Sequence, residues 1–239
     1  MSAKPVALVT GANKGIGKET ARQLAARGYT VLLAARDPAK GEAAAAELRA
    51  GGGDVRFVKL EVTDAADRTA AAAHIARAFG RLDALVNNAG VLPDGGTRPS
   101  TVSVDQLRQT FETNYFALVA LTQELLPLLK AGPAGRVVNL SSQLGSLKLN
   151  ETVAADNRLA GYNASKAAVN MFTVLLAGEL AGTAVKVNAA HPGWVKTDMG
   201  TAAAPMAVAD GAKTSVRLAT LPADGPTGGF FHGDDRLPW

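Results

Sequence analysis

The stretch VALVTGANKGIGKE, residues 6–19, decides the fold. An apolar run without alternation, residues 6–10, passes into the glycine pattern Gly11, Gly15, Gly17 and then into an Ala-rich helical segment. An unalternating run predicts a strand buried on both faces. Glycines let the following turn bring its backbone close to a pyrophosphate, which the free amides and positive dipole end of the helix would hold. A plain strand-to-helix turn is the competing reading of a glycine pattern alone, and its position after a first strand and before a helix favours phosphate binding. No Gly-Lys-Ser/Thr follows, so this is not a Walker loop.

Moving outward, short Val-, Leu- and Ala-rich runs recur at residues 30–35, 55–60, 84–87, 136–140 and 185–189. Helical stretches at 17–27, 39–49, 65–79, 104–130 and 162–180 separate them. Strict alternation of this kind predicts an α/β class protein: a Rossmann-type doubly wound parallel sheet, one domain over residues 1–239. Ser103 and Asp105 are expected at the N-terminal end of the long middle helix. Residues 143–160 and 194–209 resist regular assignment. Both follow strand ends, where ligands bind in open α/β sheets, so they are read as a substrate wall and a lid, with long surface loops as the alternative.

Composition narrows the function classes. A hydrophobic fraction of 47% and a charged fraction of 19% suit a globular protein with a large core. The absence of Cys excludes disulfides, thiolate nucleophiles and Cys-based zinc sites. The net charge of +4 comes from scattered cations, and a nucleic-acid binder would gather them on one stripe. Residues 1–4 carry no signal-peptide pattern and no apolar run is long enough to span a bilayer. The expectation is a cytoplasmic protein that binds neither nucleic acid nor membrane.

The end of the second strand predicts the cofactor. An NAD enzyme would place an acidic side chain there for the adenosine ribose, whereas this chain reads Ala35-Arg36-Asp37. A guanidinium pairs with a 2′-phosphate that a carboxylate would repel. Arg36, with Lys14 from the glycine loop and Lys40 from the next helix, therefore predicts NADP(H). Solvated surface cations are the alternative, and the adjoining Asp37 leaves room for NAD.

These features together resemble the short-chain dehydrogenase/reductase superfamily, and more narrowly its carbonyl-reductase branch. The similarity extends along essentially the whole chain. Residues 10–17 (TGANKGIG) match the family's cofactor loop, residues 87–90 (NNAG) its fourth-strand motif, and residues 162–166 (YNASK) its active-site motif. Residues 192–198 (PGWVKTD) match the segment that closes over the nicotinamide, and residues 229–239 (GFFHGDDRLPW) resemble the carbonyl-reductase tail. YxxxK alone arises by chance, but not all of these motifs in order.

The resemblance implies a catalytic tetrad. Tyr162 would donate the proton that a forming alkoxide needs. Lys166, one turn later on the same helix face, would lower the phenol's pKa and hold the nicotinamide ribose. Ser142 would orient the substrate and stabilise its carbonyl oxygen; Ser141 competes for that role, but strand alternation points the two apart. Asn114 would support a water linking Lys166 to solvent, or act as a structural hydrogen-bonder. His191 has no place in this chemistry and is read as a satisfied buried histidine. Cofactor contacts carried over are Gly11, Asn13, Lys14, Gly15, Ile16, Gly17, Arg36, Lys40, Glu61, Val62, the backbone of Asn88, Ala89 and Gly90, Tyr162 and Lys166 themselves, and Pro192, Gly193, Val195 and Thr197. Glu61 stands where the family more often has Asp.

The implied activity is NADP(H)-dependent reduction of aldehydes, ketones or quinones. The alternatives are a reductase for a 3-oxoacyl thioester, sugar or steroid, and a non-catalytic NADP(H)-binding regulator. A carrier-protein substrate would want a basic patch, and residues 143–160 offer only Lys148 and Arg158. Ser142 and Tyr162 stand farther apart than in many family members, an insertion that favours a monomer or dimer over a tetramer.

Overall fold

The computed structural model describes residues 4–93, 97–152 and 159–239. One sheet runs through it in the order β3-β2-β1-β4-β5-β6-β7-β8. The strands are β1 (Val6–Val9), β2 (Thr30–Ala35), β3 (Val55–Lys59), β4 (Ala84–Asn87), β5 (Arg136–Leu140), β6 (Lys186–Ala190), β7 (Phe230–His232) and β8 (Asp235–Arg236). All pairs through β7 are parallel, and β8 pairs antiparallel with β7. Because β1 has β2 on one side and β4 on the other, the winding reverses there. A crevice opens beyond the strand ends at such a switch point.

Successive side chains of the central strands point to opposite faces, and each face is covered. Leu8, Leu32, Leu85, Val137 and Val187 pack with Ile75 of α3 (Ala65–Phe79), Leu121, Leu125 and Leu129 of α5 (Ala117–Ala131) and Leu176 of α7 (Ala160–Glu179). Ala7, Val9, Val31, Leu33, Val86 and Val138 pack the other way, against Leu24 of α1 (Gly15–Ala26), Ala44 and Leu48 of α2 (Pro38–Ala50) and Val216 of α9 (Lys213–Ala219). Small residues set the spacing: a Cβ on Gly41 of α2 would stand 2.2 Å from the Phe57 ring.

Three expectations need correction. The helix expected over 104–130 is divided into α4 (Val104–Phe111), a π-helical turn (Glu112–Phe116) and α5. The widened turn holds Asn114, whose side chain bonds to the β4 loop and to α7, so tertiary contacts override the regular period. Ser103 does cap α4, in a capping box with Gln106. Strand β3 is not buried on both faces; its Arg56 and Lys59 are exposed, because it is an edge strand. Finally, α8 (Val208–Gly211), α9, β7 and β8 lie in a region where sequence periodicity marked no element. Among the described residues, no helix is long and apolar enough to cross a membrane.

Candidate active site

The register brings the glycine loop, the β4 loop, the segment after β5 and the segment after β6 out at one sheet edge, since Val9 pairs with Val86, Val86 with Val138, and Leu140 with Ala190. The first two are tied together by side chains. The Thr10 hydroxyl accepts from the Asn88 and Ala89 amides at 3.0 and 2.9 Å. Asn88 Nδ2 donates to the Thr10 and Gly11 carbonyl oxygens at 2.8 and 3.2 Å. Sequence reasoning gave Asn88 a backbone role only; its side chain braces the loop.

The loop itself has the shape of a phosphate cradle. Gly11 and Gly15 have φ of +61° and +55°, a region that L side chains enter at a cost. A Cβ on Gly17 would stand 2.4 Å from Asn88 Nδ2 and 2.7 Å from the Gly11 oxygen. No acidic residue lies in the first turn of α1, and no side chain caps it. Those amides suit an anion. Asn13 and Ile16, both partly buried, complete the turn. Lys14 forms an ion pair with Asp198, in the segment after β6.

At the end of β2, Arg36 is exposed, with Glu61 Oε2 at 3.9 Å. Asp37 is committed elsewhere: its carboxylate caps α2, accepting from the Lys40 amide at 3.1 Å, and that bond foremost holds its pKa below the usual carboxylate value. Lys40 Nζ lies 3.5 Å from the same carboxylate. The acid that left room for NAD is thus a helix cap. Glu61 accepts from the Thr63 hydroxyl at 3.1 Å, and buried Val62 offers its carbonyl oxygen to Arg68 at 2.8 Å. Lys14 and Arg36 are thus engaged by different carboxylates, those of Asp198 and Glu61.

Helix α7 carries Lys166, which is buried, and Tyr162, which is partly buried, one turn apart. Tyr162 shares a hydrogen bond with the Ser142 side chain. Ser141 points the other way, its hydroxyl donating to Asn170 Oδ1 at 2.6 Å, so Ser142 is the serine that meets Tyr162. Lys166 Nζ donates to the Leu140 oxygen at 2.7 Å and sits 5.5 Å from the centroid of the Tyr162 ring. Here the expected direction of one shift reverses. Burial pushes the Tyr162 phenol up to about 12, and only the Ser142 bond pulls it back. Burial also brings Lys166 down to about 8. The ammonium lies over the ring face and is engaged by a backbone oxygen, so desolvation outweighs its charge.

Asn114 is buried in the π-helical turn. Its Oδ1 accepts from the Val91 amide at 2.8 Å, and its Nδ2 donates to the Val91 oxygen at 3.0 Å and the Ser165 hydroxyl at 3.1 Å. It therefore clamps the β4 loop to α7. A Cβ on Gly90 would lie 3.3 Å from Asn114 Oδ1 and 3.8 Å from Lys166 Nζ, which places both beside that glycine.

After β6, His191 is buried and its Nδ1 accepts from the Gln143 amide at 3.3 Å. Burial foremost, then the neighbouring His232, lowers its pKa to about 4. Its ring is therefore neutral at physiological pH. Pro192 leads into Gly193, at φ +85°, where a Cβ would meet Met206 Cε at 2.7 Å. Val195 is buried and bridges to Met206, which anchors a segment expected to be irregular. The Thr197 methyl would touch a Cβ on Gly15 at 3.4 Å, so this segment lies against the glycine loop. The described part of 143–160 forms a 3-10 turn (Gln143–Gly145) and α6 (Leu147–Asn150), while Arg158 lies outside the described residues. Among the described residues, no cluster of three or more His, Asp or Glu side chains could hold a metal ion. Sequence reasoning held Thr10, Asp198 and Ser165 inside motifs but gave them no role, because each acts on a residue distant in sequence.

Known proteins resemble this chain in sequence and in fold. A family model for short chain dehydrogenases matches residues 5–207. The chain is 34% identical to carbonyl reductase (NADPH) 1 of Mus musculus, with 100% of this chain and 99% of that protein covered. It is also 34% identical to (-)-isopiperitenone reductase of Mentha piperita, over 97% of each. The solved structure of NADPH-bound carbonyl reductase from chicken fatty liver matches with a TM-score of 0.85 and 28% identity, covering 100% of both chains.

Proposed function

Because the chain belongs to the short-chain dehydrogenase family, in its carbonyl-reductase branch, we propose that it reduces the C=O group of small aldehydes, ketones or quinones, with Tyr162 as the proton donor. It is an NADPH-dependent oxidoreductase. The observation that carries the proposal is the meeting of Tyr162, Ser142 and Lys166 at the same sheet edge as the glycine cradle.

In this reading Gly11, Asn13, Gly15, Ile16 and Gly17 hold the pyrophosphate of NADPH, and Arg36, with Lys14 or Lys40, the 2′-phosphate. Glu61, Val62, Asn88, Ala89 and Gly90 border the adenosine side, and Pro192, Gly193, Val195 and Thr197 the nicotinamide side. When bound, NADPH supplies a hydride to the carbonyl carbon. The Ser142 hydroxyl donates to the substrate oxygen as charge develops there. Tyr162, held protonated by burial, delivers its proton to that oxygen. Lys166 places a positive charge beside the phenolate so formed, and Asn114 keeps the Lys166 side of the site in place for proton return. Of the two cations that could form a basic patch for a carrier protein, Lys148 is paired with Glu151 at 2.7 Å, and Arg158 lies outside the described residues.

The test is NADPH consumption by the purified protein across a panel of aldehydes, ketones and quinones, with NADH alongside. Turnover of at least one class with NADPH is expected, and NADH should serve far less well. Silence across the panel would overturn the proposal. The pH profile adds a second expectation. The Lys166 charge is present below pH about 8 and lost above it, while Tyr162 stays protonated to about 12. Reduction, read as kcat/KM, should hold through neutral pH and fall as pH rises past about 8. A plateau that continues well into the alkaline range would argue against a charged Lys166 in the step.

A further inference from the structure

His191 has no part in proton delivery, yet it joins segments that leave the sheet edge together. Its amide donates to the Phe231 oxygen of β7 at 2.8 Å. Its carbonyl oxygen lies 3.0 Å from His232 Nδ1, and the two rings are 5.0 Å apart. Its Nδ1 accepts from the Gln143 amide. The turn that Gln143 begins is otherwise closed on itself: the Leu144 amide donates to Ser142 Oγ at 3.2 Å and the Gly145 amide to the Ser142 carbonyl oxygen at 2.9 Å. Of the first three amides after Ser142, Gln143's is the one bonded outside the turn, and its partner is a side chain of β6's C-terminal end.

We propose that His191 is a positioning residue for Ser142, fixing the peptide plane that follows the serine and so the direction of its hydroxyl toward Tyr162. The proposal rests on the catalytic reading of Ser142. That plane is held at both ends, by Gly145 on the Ser142 oxygen and by His191 on the Gln143 amide. With its planar link fixed, the serine keeps its extended backbone, φ −151° and ψ 151°. Nδ1 accepts only in the tautomer with its hydrogen on Nε2, which a neutral ring can adopt and a protonated one cannot.

The test is a set of variants compared by kcat, KM, NADPH binding and melting temperature. His191→Leu removes the acceptor. It is expected to lower kcat about 10- to 100-fold, the cost of a small misplacement of a reacting group, with NADPH affinity nearly unchanged. His191→Asn, which retains an acceptor oxygen, should recover part of the loss. Gln143→Pro removes the donor hydrogen and puts its Cδ where that hydrogen pointed, at a nitrogen 3.3 Å from His191 Nδ1, so it also pushes the ring away; the extended backbone of Ser142 accommodates a following proline. It should reproduce the loss, and so keeps the test decisive if His191→Leu fails to fold. Because His191 acts through Ser142, His191→Leu should cost nothing further in a Ser142→Ala background. An equal loss in both backgrounds, or a fully active Gln143→Pro, overturns the proposal. Ser142→Ala with undiminished turnover would instead overturn the catalytic reading of Ser142, and this one with it.

Discussion

Tyr162→Phe should bind NADPH as the parent protein does and turn over roughly 10³-fold more slowly or worse, at the upper part of the range for a positioned general acid. The substitution removes one oxygen. The ring keeps its place on α7, and Lys166 keeps both its bond to the Leu140 oxygen and its seat over the ring. What disappears is the proton and the shared bond with Ser142. Since Tyr162 is held well above neutral pH, the donor is loaded throughout the physiological range, so its loss cannot be offset by a change of pH. Steady-state kinetics and a fluorescence titration with NADPH separate the two effects. Turnover within tenfold of the parent would remove Tyr162 from the mechanism; lost NADPH binding would show that the phenol shapes the site.

Arg36→Asp should shift the ratio of kcat/KM for NADPH over NADH by about 100-fold toward NADH. A hydrogen bond to a charged group contributes roughly 1.5–3 kcal/mol, and the new carboxylate adds repulsion of a 2′-phosphate. Arg36 is well placed for this exchange. Its side chain is 77% exposed and its ion pair, Glu61 at 3.9 Å, is loose, so little native structure depends on it. Asp37 is occupied capping α2, which leaves the character of this strand end to the residue at position 36. The measurement is paired kinetics with the two cofactors. A ratio that moves less than about threefold would transfer the role to Lys14 or Lys40. Lys14 would then have to leave Asp198, a competition that salt titration of NADPH binding would expose.

Much of this was legible before any coordinates. Unalternating apolar runs between helical stretches specified a doubly wound parallel sheet, and the sheet order bears that out. Glycine spacing located the cradle. The four-residue interval between Tyr162 and Lys166 put them on one helix face, and strand alternation separated Ser141 from Ser142. Each of these rests on a local period, 2 along a strand and 3.6 along a helix, which the chain carries in its own order. The tertiary structure decided the rest: Asn88 as a brace across two loops, Lys14 facing Asp198, Asn114 drawing a helix into a π turn, His191 reaching the amide after Ser142, and the reversed direction of the Tyr162 shift. Those depend on which side chains meet across distances of up to 184 residues in sequence, and on how many atoms replace water around a phenol or an ammonium. Desolvation is a property of the packed surroundings, and no local spacing encodes it.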